Sequence, residues 1–213
     1  MSERPELPKD SARAERDLLA SLRSGNSGAR EALVRQHAGR LLLTARRLLG
    51  SEAAARDAVC RALAEAAQSA DSCPERAGLA VWLLRLLVGR AISSLHDGSR
   101  RREAGGGSLD ALLPGFTADG HHAESIREWP PMVRADALSG DQRARVRSLV
   151  GELPPEHRVA LLLGDADGCS PEDIGVVLDR TPAEARLLLH QARQALRTLI
   201  GSSLEPQARR LSG

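Results

Sequence analysis

The chain has 213 residues, room for one large domain or two small ones, with 42% hydrophobic residues but only 1% aromatic ones. One Phe, two Trp and no Tyr leave any core to Leu, Ala and Val, which favours packed helices over sheets. The net charge of +2 and three scattered cysteines (Cys60, Cys73, Cys169), none in a CxxC pair, exclude a disulfide framework and a zinc signature. No apolar run reaches the ~18 residues of a membrane span, and the N-terminus lacks an apolar signal core, so no membrane insertion and a cytoplasmic location are expected.

Residues 1–11 are polar with two prolines and read as disordered. "RDLLASLRSG" is a short amphipathic helix ended by Gly25. "SGAREALVRQHAGRLLLTARRLLG" is a longer one, with Ala29, Leu33, Leu41, Ala45, Leu48 and Leu49 at mostly three- and four-residue steps and Gly50 as its stop. Ser51 caps a third, "SEAAARDAVCRALAEAAQ", which should bury Ala55, Val59, Ala62, Leu63 and Ala66. After a loop at Asp71–Gly78, "LAVWLLRLLVGRAISSLHDG" is the most apolar helix and should sit centrally in a bundle.

Past Asp97 the character changes. "GSRRREAGGGS" reads as a domain end and a flexible linker, and Leu109–Gly140 is too acidic and rich in Pro and Gly for a core yet too apolar for a pure spacer, so it should dock on something. Helical pattern resumes at Asp141. The expected architecture is all-α: two small helical domains, 12–100 and 139–204, joined by an acidic linker at 101–138 and followed by a flexible tail at 205–213.

Charge follows the same division. Arg30–Gly50 carries a net of +4, Leu83–Glu103 +3 and Arg180–Arg197 +3, whereas Leu109–Asp141 carries −4. Basic helices around an acidic connector suggest a polyanion partner, although each patch alone also fits an ordinary solvated face. All but one of the 30 basic residues are Arg, as a GC-rich genome would produce, so Arg at any single position is weak testimony.

The strongest local signal is "SPEDIGVVLDRTPAEARLLLHQARQALR". Ser170 with Pro171, Glu172 and Asp173 starts one helix; Thr181 with Pro182 and Glu184 starts a second. Only Asp179 and Arg180 separate them, the geometry of a helix-turn-helix, or of an αα-hairpin that never touches DNA. At ~100° per residue, Ala185, Leu189, Ala192, Leu196 and Ile200 form the core stripe with Leu188 on its flank. Arg186, Leu187, His190, Gln191 and Gln194 face outward. Arg186 suits guanine or phosphate, Gln191 adenine, and Arg180 and Arg193 phosphates.

In this order the segments resemble the extracytoplasmic-function group of bacterial RNA polymerase sigma factors, over about nine-tenths of the chain. "GNSGAREALVRQHAGRLLLTARRLLG" and "AARDAVCRAL" are similar to core-binding helices, "WLLRLLVGRAISSLHDGSRRRE" to the promoter-melting helix, and "LPPEHRVALLLGDADGCSPEDIGVVLDRTPAEARLLLHQARQAL" to the promoter-reading domain. "LLPGFTADGHH" with Trp129-Pro130 resembles some of the group's linkers, which run through the polymerase cleft.

The resemblance implies core RNA polymerase, promoter DNA and an anti-sigma factor as partners, no cofactor and no catalytic residue. It assigns polymerase binding to Arg46, Arg47, Arg56, Asp57, Cys60 and Arg61. It assigns the minus-ten region to Trp82, Arg85, Arg90, Arg100, Arg101 and Arg102. The minus-thirty-five element falls to Arg180, Thr181, Glu184, Arg186, Leu187, His190, Gln191 and Arg193.

Departures from the group's pattern are specific. Arg56, Cys60 and Arg61 surround Asp57 where acids and an amide are usual; Gly89 and Ser93 replace an Asn and an Asp; Leu187 replaces a small polar residue; Asp179 stands where the turn often has Gly. These leave open a second reading, a sigma-like regulator that has lost promoter opening and acts through protein contacts. His121-His122 near Asp119 and Glu124 lacks a positioned third ligand and reads as solvent-exposed rather than metal-binding.

Overall fold

The computed structural model describes residues 9–74, 77–103, 109–113 and 140–211, and every regular element among them is helical. Helices α1 (Lys9–Arg23), α2 (Ser27–Leu49), α3 (Glu52–Gln68) and α4 (Leu79–Glu103) form the first bundle. A single turn, α5 (Leu109–Leu112), precedes α6 (Gly140–Val150), α7 (Pro155–Leu161), a π-helical turn at Leu162–Ala166, α8 (Pro171–Leu178) and α9 (Pro182–Leu211).

The breaks are where the residues require them. Gly50 adopts φ 65° and its N–H donates to the Arg46 carbonyl at 3.0 Å, closing α2 in the left-handed conformation that costs glycine least. The next residue, Ser51, accepts the Ala54 N–H and opens α3. On α2 the expected stripe Ala29, Leu33, Leu41, Ala45 and Leu48 is buried, with Leu49 half-buried against it; on α3 Ala55, Val59, Ala62, Leu63 and Ala66 are buried.

Helix α4 is the spine. Leu83, Leu84, Leu87, Val88 and Ala91 are at most 2% exposed, because α2 and α3 cover one side while α7 and α8 of the C-terminal bundle cover another. The apolar cores of the two bundles therefore merge into one cluster. Trp82 lies in that cluster at 3% exposure, which corrects its expected place on a DNA-facing surface: its ring belongs to the α4 core stripe with Leu79 and Leu83.

Three helices outrun their expected bounds. α1 begins at Lys9, so the last three residues of the stretch 1–11 expected to be disordered are helical. α4 continues through Gly98 to Glu103, since a single glycine costs only about 1 kcal/mol against an established helix. α9 continues to Leu211 through the stretch expected to be a flexible tail. Within the expected linker, α5 packs on α9 and sets Leu109 and Leu112 against the core. Residues 1–8, the remainder of the linker with His121, His122 and Trp129, and the side chains of Arg100, Arg101 and Arg102 lie outside the described part.

Candidate nucleic-acid and polymerase interface

The helix-turn-helix is built by two reciprocal caps and one close approach. The Ser170 hydroxyl accepts the Asp173 N–H while the Asp173 carboxylate accepts the Ser170 N–H, both at 3.2 Å. Thr181 and Glu184 repeat the arrangement at α9: the Thr181 N–H donates to Glu184 at 2.7 Å, and the Glu184 N–H to the Thr181 hydroxyl at 3.2 Å. The Thr181 hydroxyl, with its own backbone N–H, holds the Glu184 carboxyl below its ordinary pKa.

Between the caps, Asp179 takes φ 57°, a left-handed conformation that Asp tolerates better than most residues. A Cβ on Gly175 would sit 2.7 Å from the Arg180 carbonyl oxygen, so only glycine fits where the turn folds back on α8.

On α9, Ala185, Leu189, Ala192 and Ala195 are buried, whereas Arg186, His190 and Arg193 are exposed and Leu187 is 55% exposed. Gln191 is half-buried and shares a 3.2 Å hydrogen bond with His157. Arg180, Arg186 and Arg193 are each matched by a carboxylate of the same domain. Arg180 pairs with Glu156 at 3.0 Å, Arg186 with Glu172 at 2.9 Å and Arg193 with Asp165 at 2.5 Å. The Glu172 carboxyl is held below its ordinary pKa, first by its own backbone N–H and further by Ser170 and Arg186. Asp165 in turn raises the pKa of Arg193.

On α4, Arg90 binds Glu65 of α3 at 2.6 Å. Arg85 reaches into the other bundle, donating to the Val176 carbonyl at 2.9 Å and approaching Asp179 at 3.4 Å. The fold thus brings the minus-ten candidate Arg85 beside the turn that carries the minus-thirty-five candidate Arg180. A cleft of about 440 Å³ runs along this seam, floored by Leu86, Ile92 and Val177 and edged by Arg90 and Asp179.

The expected polymerase-binding residues cluster on the α2–α3 corner. Arg46 grips Glu52 through Nε at 2.5 Å and Nη2 at 2.7 Å, and Arg56 adds a contact at 2.8 Å. These two guanidiniums, Arg46 first, hold the Glu52 carboxyl at about 2. Asp57 accepts from Arg61 one turn on, at 3.0 Å, and Cys60 is exposed beside them. Arg47 points away from this corner to Asp167, at 2.6 Å.

Sequence reasoning missed the carboxylates that hold these arginines: Glu52, Glu65, Glu156, Asp165, Asp167 and Glu172. Their only signal was an acid within a turn of a basic helix, and contacts such as Arg47–Asp167, 120 residues apart, leave no local trace. It also missed Arg158, which is 5% exposed and donates to the Gly151 and Leu153 carbonyls, closing the turn between α6 and α7.

Comparison with known proteins accounts for this layout. Residues 33–101 match the family model of sigma-70 region 2, and residues 143–196 that of sigma-70 region 4. The chain is 30% identical over 165 residues to the ECF RNA polymerase sigma factor SigE of Mycolicibacterium smegmatis, covering 78% of this chain and 59% of the relative. It is 29% identical over 98 residues to the RNA polymerase sigma factor CarQ of Myxococcus xanthus, covering 46% and 56%. The chain therefore spans less than two-thirds of the length of either relative. The solved structure of CnrH in complex with the cytosolic domain of CnrY shares the fold, with TM-score 0.60, 21% identity and coverage of 89% of this chain and 98% of that one. With both regions present in order on one chain, α2–α4 as region 2 and α6–α9 as region 4, this protein belongs to the sigma-70 family, in its extracytoplasmic-function group.

Proposed function

We propose that the chain directs bacterial RNA polymerase to promoters. Region 4 would read the minus-thirty-five element through the outward face of α9, and region 2 would engage the minus-ten element and the polymerase clamp. The observation that carries this reading is the α8–Asp179–α9 unit. Its glycine-dependent turn and doubled caps fix a second helix whose exposed face presents Arg186, Leu187 and His190.

Arg186 is the candidate for a base edge, and Arg180 and Arg193 are placed for phosphates. Each reaches DNA by exchanging its carboxylate partner for an anion of the duplex. The Arg186 and Arg193 pairs are exposed and the Arg180–Glu156 pair is partly so, and the exchange loses little. On α4, with Trp82 in the core, the described groups available for the minus-ten region are Arg85 and Arg90. Arg46, Arg56, Asp57, Cys60 and Arg61 form the surface assigned to polymerase. The chain performs no chemistry itself; it positions the enzyme that does. An anti-sigma partner is proposed on the same footing, since CnrH, of the same fold, was solved with the cytosolic domain of CnrY bound.

Run-off transcription with core polymerase and a library of genomic promoters tests the reading. Initiation at specific sites is expected only when the chain is added. Retention of polymerase without initiation would instead mark a regulator that has lost promoter opening.

A further inference from the structure

We infer that His157 fixes the amide of Gln191 so that this side chain reads the upstream element as a hydrogen-bond donor alone, selecting guanine or thymine over adenine or cytosine; the inference rests on the function proposed above. Gln191 lies on α9 one turn beyond the exposed Leu187, at the edge of the outward face, and is half-buried. His157 lies on α7, which packs against α9. The His157 Nε2 and the Gln191 Oε1 are 3.2 Å apart.

A neutral imidazole carries one N–H, and this ring has one place for it. Its Nδ1 is buried with no hydrogen-bond partner among the described residues. A proton there would be a buried donor with nothing to donate to, a rarer state in proteins than an idle buried acceptor. The proton therefore sits on Nε2 and is donated to Gln191. A donated proton needs an oxygen at the receiving end, and this fixes the amide: Oε1 turns in towards α7, and the NH2 group, on the other arm of the same carbon, turns away from it.

The support is rigid. His157 is followed by Arg158, which is 5% exposed and donates to the Gly151 and Leu153 carbonyls, and by Val159 and Ala160, both fully buried. Just before it, Glu156 accepts from Arg180 at 3.0 Å. The first turn of α7 thus holds two polar side chains of the reading unit, one by charge and one by a directed hydrogen bond.

Direction decides the base because of what the major groove presents. A free glutamine amide makes two bonds to adenine, accepting from N6 and donating to N7. With its oxygen held by His157, Gln191 loses the first of these. It keeps two N–H donors, which match O6 and N7 of guanine or O4 of thymine. The amino groups of adenine and cytosine set a donor against a donor. Residue type alone suits Gln191 to adenine, and its neighbour on α7 reverses that choice.

Holoenzymes carrying wild type, Gln191→Ala, His157→Leu or His157→Gln are each used to retain promoters from a randomised library, which is then sequenced. Far-UV circular dichroism checks that the helices persist. Proton–nitrogen correlation spectra of the free chain, at mildly alkaline pH, read which nitrogen of the ring removed in His157→Gln carries the proton. Wild type should favour guanine or thymine over adenine and cytosine by about ten-fold at one position. Gln191→Ala should flatten that position. His157→Leu should let the amide turn and bring adenine level with guanine, whereas His157→Gln, whose own amide supplies a donor at similar reach, should keep the wild-type preference. The proton should lie on Nε2. A proton on Nδ1, a preference for adenine or cytosine at the Gln191 position, or a preference that a helical His157→Leu leaves intact overturns the inference. So does a Gln191→Ala variant that flattens no position. A wild-type holoenzyme that retains no sequence sinks the function proposed above, whereas retained promoters without this bias overturn the role of His157 alone.

Discussion

Arg186 of the reading helix and Glu172 of the helix before it form a 2.9 Å ion pair across the helix-turn-helix, so the residue best placed to meet a base is already neutralised in the free protein. Both side chains are 59% exposed, and such a pair contributes little to folding. Its effect falls on binding, because a duplex must displace Glu172 and tolerate its charge nearby. Glu172→Gln should lower the melting temperature slightly, through the lost carboxylate in the first turn of α8, and should tighten promoter binding several-fold and steepen the slope of log affinity against log salt by about 0.9, the signature of one more phosphate contact. Fluorescence anisotropy across a salt series measures both quantities; a tighter complex with an unchanged slope would place the gain in base contacts instead.

Two helix glycines should respond to alanine with opposite signs. At Gly175 the added Cβ meets the Arg180 carbonyl at 2.7 Å, and backbone cannot swing aside as a side-chain tip would. Overpacking of this kind costs about 1–3 kcal/mol, more than the roughly 1 kcal/mol that alanine gains over glycine in a helix. Gly175→Ala should therefore destabilise the chain and weaken DNA binding by splaying the turn. At Gly89 nothing lies within 4 Å of the added carbon, so Gly89→Ala should stabilise by up to about 1 kcal/mol. Urea unfolding of both variants checks the pair of signs.

The difference between these glycines shows what was legible in the sequence. Element positions were, because caps and stops are local: Gly50, Ser51, Ser170 and Thr181 announce themselves within four residues. The core stripe of α9 was legible from helical phase only in its first turns: Ala185, Leu189 and Ala192 are buried as expected and Leu187 is the outward leucine of "RLLLHQ", whereas Leu196 and Ile200 are half-buried, Ala195 is buried unannounced, and Gln191 and Gln194, expected to face outward, are half-buried. The close approach of residues 175 and 180, and the joining of two helical bundles into one core through Asp167 and Arg85, were not legible. Those depend on how helices cross, and no spacing rule reports a crossing. Trp82 failed for a related reason: a large ring on an amphipathic helix suits a core and a DNA-stacking face equally until the neighbouring helices are placed.

The Glu52 node gives a pH signature. Its carboxyl lies at about 2 in the folded chain against an ordinary 4.5, chiefly through its bond to Arg46. A folded-state pKa below the unfolded one means that the unfolded chain binds the proton more readily. The node's contribution is complete above about 4.5 and is lost as the pH falls towards 2. Glu52→Gln should accordingly melt below the wild type at neutral pH, with the gap between the two narrowing from pH 4.5 and closing near pH 2. Thermal unfolding of both proteins across that range measures it, and a gap independent of pH would show that packing, not ionisation, separates them.

Leu187 is the remaining departure on the reading face. At 55% exposure it contributes nothing to the core, so Leu187→Ser should change stability by less than about 0.5 kcal/mol. Its neighbours on the helix surface, Arg186 and His190, are exposed beside it. A branched aliphatic side chain among polar groups in a major groove has one complementary feature there, the thymine methyl. Burying one methyl-sized contact is worth about 0.8 kcal/mol, a factor of roughly four. Leu187→Ser should therefore reduce selectivity for thymine at one position of the upstream element by about that factor, while contacts to phosphates, and hence the salt slope, stay as they are. Sequencing of promoter variants retained by wild-type and Leu187→Ser holoenzymes reads the preference position by position. A loss spread evenly over all sequences would mean that this face of α9 is used for a protein partner and not for reading DNA.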